Sequence, residues 1–392
     1  MKVLVAGGGI GGLVAAIALA QREFEVEVLE QQADPRELGA GIAIAGNGRH
    51  ILKSLGVDDS LASLAHSASG LRLRGGKSGR IFVENSNAPT ATRLGGLPYN
   101  LHRGDLRRVL MDAALAYPAV RVHLGQRVAS IAQQPDRVSV ETEQGIRAAG
   151  DALIGADGIH SVVRRAIAGP DVPRFSGEVV WRALVARDRL PEEAGAEFAT
   201  IWTGRDRHFL QYLVRRGELL NIGGFVEAEA WRSESWTEPG KKADLARLFS
   251  SFHPVVRDII DGADECFAQA IHERDPLDAW FKGRIVLLGD ACHAMPPHLG
   301  QGAGMAIEDA IVLARALAEH RGDVDGAFRS YQAKRAERVE RVKAGVRRMG
   351  RVYNFGNPIR GALLHSTISL MSRIRPTSGP FDWVFEYDAL SC

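Results

Sequence analysis

Apolar and polar positions change their period three times along the chain. Residues 3–6, after Lys2, read as a short buried strand, 13–22 as an Ala-rich helix, and 24–30 as a second strand. Further on, 152–154 is another buried apolar run, and Leu101-His-Arg-Gly-Asp-Leu106 opens a helical stretch that reaches Ala116. From about 176 to 267 the period becomes two. Here 179–185, 197–202, 208–214 and 219–226 read as strands, with Arg215-Arg-Gly-Glu218 suited to a hairpin turn. An apolar strand at 284–288 follows, then a helix to about Ala318 and a basic helix over 328–353. On that last helix Tyr331, Val339, Val342, Val346, Met349 and Tyr353 form a stripe at helical spacing, suited to docking on the body or on a second subunit. The pattern predicts an α/β chain with a doubly wound, Rossmann-like domain in two pieces, 1–175 and 268–350. An antiparallel sheet at 176–267 is inserted between them, and a C-terminal segment runs over 351–392.

Length and composition narrow the classes. A chain of 392 residues implies two or three domains. With 45% hydrophobic and 24% charged residues it is neither disordered nor collagen-like, and a net charge of +2 gives no reason to expect nucleic acid. The three cysteines, Cys266, Cys292 and Cys392, are odd in number and far apart, which fits a reducing cytoplasm better than a disulfide framework. Residues 3–20 carry no charge and invite reading as a membrane anchor or signal peptide. Five glycines between Gly7 and Gly12 interrupt the run, and no cleavage pattern follows, so neither is expected.

Those glycines fit G-x-G-x-x-G through Gly7, Gly9 and Gly12, in the strand–turn–helix–strand context that the motif requires. Gly7 permits the turn, Gly9 lets a pyrophosphate approach, and Gly12 lets helix and strand pack closely. Glu30 ends the second strand, where a carboxylate can accept from both ribose hydroxyls. The motif alone does not separate FAD from NAD. Three later segments bear on that choice. Arg103 stands at a helix start and could reach a phosphate or ribityl group. The stretch 151–164 delivers Asp157 in Gly-Ala-Asp-Gly, with Ser161 placed to cap a helix carrying Arg164 and Arg165. The stretch 284–304 delivers Gly289-Asp290 at a strand's carboxyl end, then Pro296-Pro297 and a glycine-spaced helix start at Gly300, Gly302 and Gly304. Asp290, His293 and His298 could also be read as metal ligands, but their spacing matches no common site, and no metal is expected.

In order and spacing, these segments resemble the three fingerprints of single-component FAD-dependent aromatic hydroxylases, over essentially the whole chain. Within that family the chain is most similar to salicylate, 3-hydroxybenzoate and 6-hydroxynicotinate hydroxylases. The resemblance implies FAD contacts from Glu30, Gln31, Arg103, the Val128 backbone and Asp290, with Gly302 and Ala303 beneath the flavin. It implies that Asp157 serves both pyrophosphate positioning and NAD(P)H use. It also implies hydroxylation of a small phenolic aromatic or N-heteroaromatic acid by O₂ through a flavin C4a-hydroperoxide, with NADH or NADPH as donor. The protein would be cytoplasmic, with no membrane and no nucleic-acid partner, and a homodimer is compatible.

In His208-Phe-Leu-Gln-Tyr-Leu-Val214, period two puts His208, Leu210 and Tyr212 on one face. Related enzymes carry His-x-x-x-Tyr here, at the substrate's phenolic oxygen and carboxylate, and a polar residue where this chain has His298. His208 or Tyr212 is the expected base, with His298 as an alternative base or relay. Two positions depart from the pattern. Ala43 stands in Gly39-Ala-Gly-Ile-Ala-Ile44 where the hydroxynicotinate enzymes have His, and Pro297 stands where the 3-hydroxybenzoate enzymes place Gln. Two other functions stay open: an FAD protein without catalysis that recognises an anionic partner, and a flavin monooxygenase acting on a larger, non-acid aromatic.

Overall fold

The computed structural model describes residues 1–34, 40–88, 96–194, 197–229, 238–355 and 381–392. Gly39 and most of the expected C-terminal segment lie outside them. Among the described residues, six strands form one sheet in the order Phe281–Lys282, Ile285–Leu287, Ala152–Gly155, Lys2–Ala6, Glu25–Leu29, Val120–His123. All its neighbours are parallel except the edge pair at 281–287. Val3, Leu4 and Val5 are fully buried, as a covered parallel strand requires. The dinucleotide helix Ile10–Ala20 is buried around most of its surface and packs against the helices Gly302–Glu319 and Arg103–Leu115. This explains the uncharged run at 3–20 as core. No helix among the described residues is long and apolar enough to cross a membrane.

The second sheet runs Glu238–Gly240, Cys266–Glu273, Arg174–Ala186, Leu219–Glu227, Arg207–Val214, Phe198–Thr203, Gly70–Gly75, Ile81–Ser86. It reaches beyond the expected limits of 176–267 on both sides. The strand Cys266–Glu273 pairs with Arg174–Ala186, so the chain stays in the sheet past residue 267. That strand is buried at most positions and so shows no alternation to read. The hairpin at 70–86 comes from the first piece of the chain and joins by a parallel pairing with Phe198–Thr203. A long-range pairing of this kind has no local signal.

One face of this sheet, with Trp181, Phe209, Leu213 and Ile222, packs on the helices Lys242–Leu248 and Pro254–Asp261 through Leu245, Phe249, Val256 and Ile259. By the alternation of strand side chains, the opposite face carries Glu178, Val180 and Arg182, His208, Leu210 and Tyr212, and Asn221 and Phe225. A two-stranded ribbon, Gly41–Ile44 with Tyr99–His102, meets that face where Gly41 N–H donates to Asn221 Oδ1 at 2.7 Å.

The basic helix Val324–Tyr353 docks its stripe on the body, with Tyr331, Val339, Val342, Val346 and Tyr353 buried. Several of its cations are buried too. Arg335 is fully buried between Glu308 and Asp309, and Arg338 forks onto Glu308 at 2.7 Å.

Candidate active site

The site begins at the dinucleotide turn. Gly7 has φ +103°, and a Cβ there would stand 2.4 Å from the Ala156 carbonyl oxygen. A Cβ on Gly12 would stand 2.0 Å from the Gly7 oxygen, so helix and strand meet only because both are glycine. Gly9 caps the helix and opens onto space, with no atom within 4 Å of a Cβ there. Glu30 is buried. Its Oε2 accepts from Gly8 N–H at 2.6 Å and its Oε1 from Gln32 N–H at 2.7 Å, which leaves each oxygen a lone pair for a ribose hydroxyl. Arg107, 1% exposed, braces this arrangement by donating to Gly8 O and to Gln32 Oε1. Gln31 is exposed, and Gln32 is the residue held in place. Val128 starts the strand Val128–Gln133 and is buried.

Asp157 sits at the start of the helix Val162–Ala168. It accepts from Ser161 Oγ at 2.5 Å, Val162 N–H at 2.7 Å and Val163 N–H at 3.1 Å, while Ser161 caps Arg164 N–H as expected. Burial pushes the Asp157 carboxyl up, opposed by these hydrogen bonds. Arg164 is buried and donates to the carbonyls of Cys292 and Asp275, tying this turn to the Gly-Asp turn.

Asp290 opens the short helix Asp290–His293 on an accessible edge. The surrounding protein raises its carboxyl, opposed by His293 and Arg103. Behind it lies Asp309, which accepts from Gly289 N–H, from Arg335 and, at 2.6 Å, pairs with His293. Burial would raise Asp309, but the charges of His293 and Arg335 hold it well below the usual carboxylate range. Gly302 and Ala303, half-buried, form the first turn of the helix Gly302–Glu319, and Gly302 has no atom within 4 Å of a Cβ. The chain fits FAD: two open glycines, two carboxylates able to accept, and two helix N-termini.

The expected base residues His208 and His298 lie in a buried polar cluster. His208, 2% exposed, stacks on Phe225 with centroids 4.3 Å apart and lies 5.7 Å from His298. Its Nδ1 is 2.7 Å from Asn354 Oδ1, Asn354 Nδ2 donates to Glu178 Oε1 at 2.6 Å, and Glu178 Oε2 is 2.8 Å from His298 Nε2. The carboxylate can only accept, so it fixes the Asn354 amide. The amide oxygen can only accept, so His208 carries its proton on Nδ1 and keeps its lone pair on Nε2. Burial and the neighbouring His298 lower the His208 pKa to about 4, against opposing pulls from Asn354 and Glu178. Burial also raises Glu178, but the bond and charge of His298, with His208 and Asn354, bring it below its ordinary value. Tyr212 lies two strand repeats away and is pushed up to about 12 by burial, with Arg182 pulling the other way.

The structure therefore brings His208 and His298 together and sets Tyr212 apart. His293 and His298 hold separate carboxylates, Asp309 and Glu178. A Cβ on Gly300 would be 4.0 Å from Ala43, so the departing position 43 lies at the Gly-Asp loop. Sequence reasoning missed Arg107, Asn354 and Glu178. Only Glu178 left a signal, as a lone carboxylate in an apolar strand.

Comparison with known proteins shows the family. The FAD binding domain family matches residues 1–345. The chain is 34% identical to 3-hydroxybenzoate 6-hydroxylase of Klebsiella oxytoca, over 90% of this chain and 89% of that one. It is also 34% identical to 6-hydroxynicotinate 3-monooxygenase of Pseudomonas fluorescens, over 87% and 89%. Among solved structures, Klebsiella pneumoniae HpxO complexed with FAD and uric acid superposes with TM-score 0.86 at 29% identity, covering 98% of this chain and 97% of that one. The chain belongs to the FAD binding domain family and is an FAD-dependent aromatic-ring monooxygenase.

Proposed function

We propose that this enzyme hydroxylates a small phenolic aromatic or N-heteroaromatic acid with NADH or NADPH and O₂, and that His208 takes the phenol proton. One observation carries the reading: a buried, neutral histidine whose Nδ1 is held by Asn354, leaving Nε2 free to accept. Deprotonating the phenol raises electron density at the ring carbons ortho and para to oxygen. FAD, when bound, supplies the reduced flavin that activates O₂. Tyr212 stays protonated at neutral pH and serves as a donor, not as the base. His298, paired with Glu178, flanks the same ring and polarises it. Glu30, Gln31, Arg103, the Val128 backbone and Asp290 hold FAD, with Gly302 and Ala303 beneath the flavin and Asp157 setting the pyrophosphate helix. The free thiols Cys266, Cys292 and Cys392 support a cytoplasmic protein, and sedimentation velocity tests for a homodimer.

The test is a panel of hydroxybenzoates, hydroxynicotinates and hydroxypicolinates, scored as hydroxylated product per NADH or NADPH consumed. One acid is expected to give near-stoichiometric product. If every acid gives only H₂O₂, the reading fails.

A further inference from the structure

We infer that Arg182 is a specificity-determining residue of this site, and that its guanidinium receives the carboxylate of the aromatic acid beside the Tyr212 hydroxyl. The inference rests on the aromatic-acid reading above. Arg182 lies on the strand Arg174–Ala186, on the same face as Glu178 and Val180. Its cross-strand partner is Gly223, and Gly223 pairs in turn with Leu210. Tyr212 pairs with Asn221, so Arg182 and Tyr212 stand diagonally across a position that has no side chain. A Cβ on Gly223 would lie 3.0 Å from the Phe225 ring, the ring that stacks on His208. The glycine thus makes room for the Phe225 ring, and no side chain of its own stands between the two polar heads.

Two polar groups on the Arg182 side of that position are unmet. Arg182 Nε is buried and makes no hydrogen bond, and among the described residues Arg182 has no carboxylate partner. Gln269 sits opposite Val180 on the next strand, and its Oε1 is likewise buried without a donor. Burial lowers the Arg182 pKa, and Arg103 nearby adds a second positive charge. Arg182 is half-buried, and a cation drawn part-way out of water is costly unless it is paired. An arginine in that position matches a carboxylate in charge and in its two-pronged geometry. Glu178, in the His208 cluster, and Arg182 are four residues apart on one strand, roughly 13 Å. A ring carrying a hydroxyl and a carboxylate, with a hydrogen bond at each end, bridges a gap of that order.

The test is calorimetric titration of FAD-loaded protein with three acid and amide pairs: 3-hydroxybenzoate and 3-hydroxybenzamide, 6-hydroxynicotinate and 6-hydroxynicotinamide, and salicylate and salicylamide. Wild type is expected to prefer at least one acid over its amide. Arg182→Gln should weaken that acid by about 10- to 150-fold, the loss of a charged hydrogen bond, and leave the amide nearly unchanged. Arg182→Lys should recover part of the loss, with FAD content as the check on folding. KM for the acid should rise more than kcat falls. If Arg182→Gln keeps the wild-type preference, or weakens acid and amide alike, the inference is overturned while the aromatic-acid reading stands. If wild type prefers none of the acids, both fall.

Discussion

A histidine that is neutral in the folded protein can accept a proton throughout the working pH range, and His208 is held in that state by burial. His208→Ala and Tyr212→Phe should both retain FAD and measurable flavin reduction. The first should lose about 10²- to 10⁴-fold in hydroxylation, the usual worth of a general base, with H₂O₂ rising in proportion. Tyr212→Phe should lose less, because a protonated tyrosine is a donor. Unchanged product per NADH in both would move the base elsewhere, His298 first. The same burial sets a pH dependence of stability. The His208 pKa is about 4 folded against about 6.5 unfolded, so between those values the unfolded chain binds the extra proton. Stability is therefore full above about pH 6.5 and falls as pH drops toward 4, by about 3 kcal/mol from this group. Urea unfolding at pH 7.5 and 5 should show a smaller drop for His208→Gln than for wild type. The shared face of His208 and Tyr212 was legible because a strand's period of two is local. Asn354, 146 residues from His208, was not, because only the folded chain brings it there.

At the scale of elements, the strand–turn–helix at the N-terminus was legible almost entirely, since its glycines, strand and closing carboxylate lie within thirty residues. The structure adds that Glu30 also accepts from the turn itself, at Gly8. Glu30→Ala should weaken FAD binding by about 1.5–3 kcal/mol, read by titrating apoprotein with FAD and following flavin fluorescence. An unchanged Kd would remove Glu30 from the site. The basic helix was read correctly as an apolar stripe, but its charge pattern gave no sign that Arg335 and Arg338 turn inward. Their partners, Glu308 and Asp309, sit side by side on another helix, and adjacent acids there look like a solvated face. Arg335→Met should cost about 3–5 kcal/mol, because Asp309 would lose its cation in a fully buried setting. A melting temperature equal to wild type would show that His293 alone suffices.

For the whole molecule, the change of period near 176 revealed an inserted sheet, and the return of helical spacing revealed the second piece of the nucleotide domain. The full width of the sheet stayed hidden, because its outer strands come from 70–86 and 266–273 and pair across long separations. The buried polar cluster draws on separate parts of the fold, with Glu178 and His208 from the sheet, His298 from the Gly-Asp loop and Asn354 from the end of the basic helix. The interleaved strand order also has a consequence in time. Lys2–Ala6 lies between Ala152–Gly155 and Glu25–Leu29, and Ile285–Leu287 closes the far side. A ribosome adding roughly 5–20 residues per second reaches that last partner only after some tens of seconds. Until then the helix Ile10–Ala20 lacks its cover from Gly302–Glu319. The newborn chain thus carries a greasy, half-built cradle for longer than most proteins take to fold, and a chain stopped at residue 262 should emerge aggregated and colourless rather than yellow.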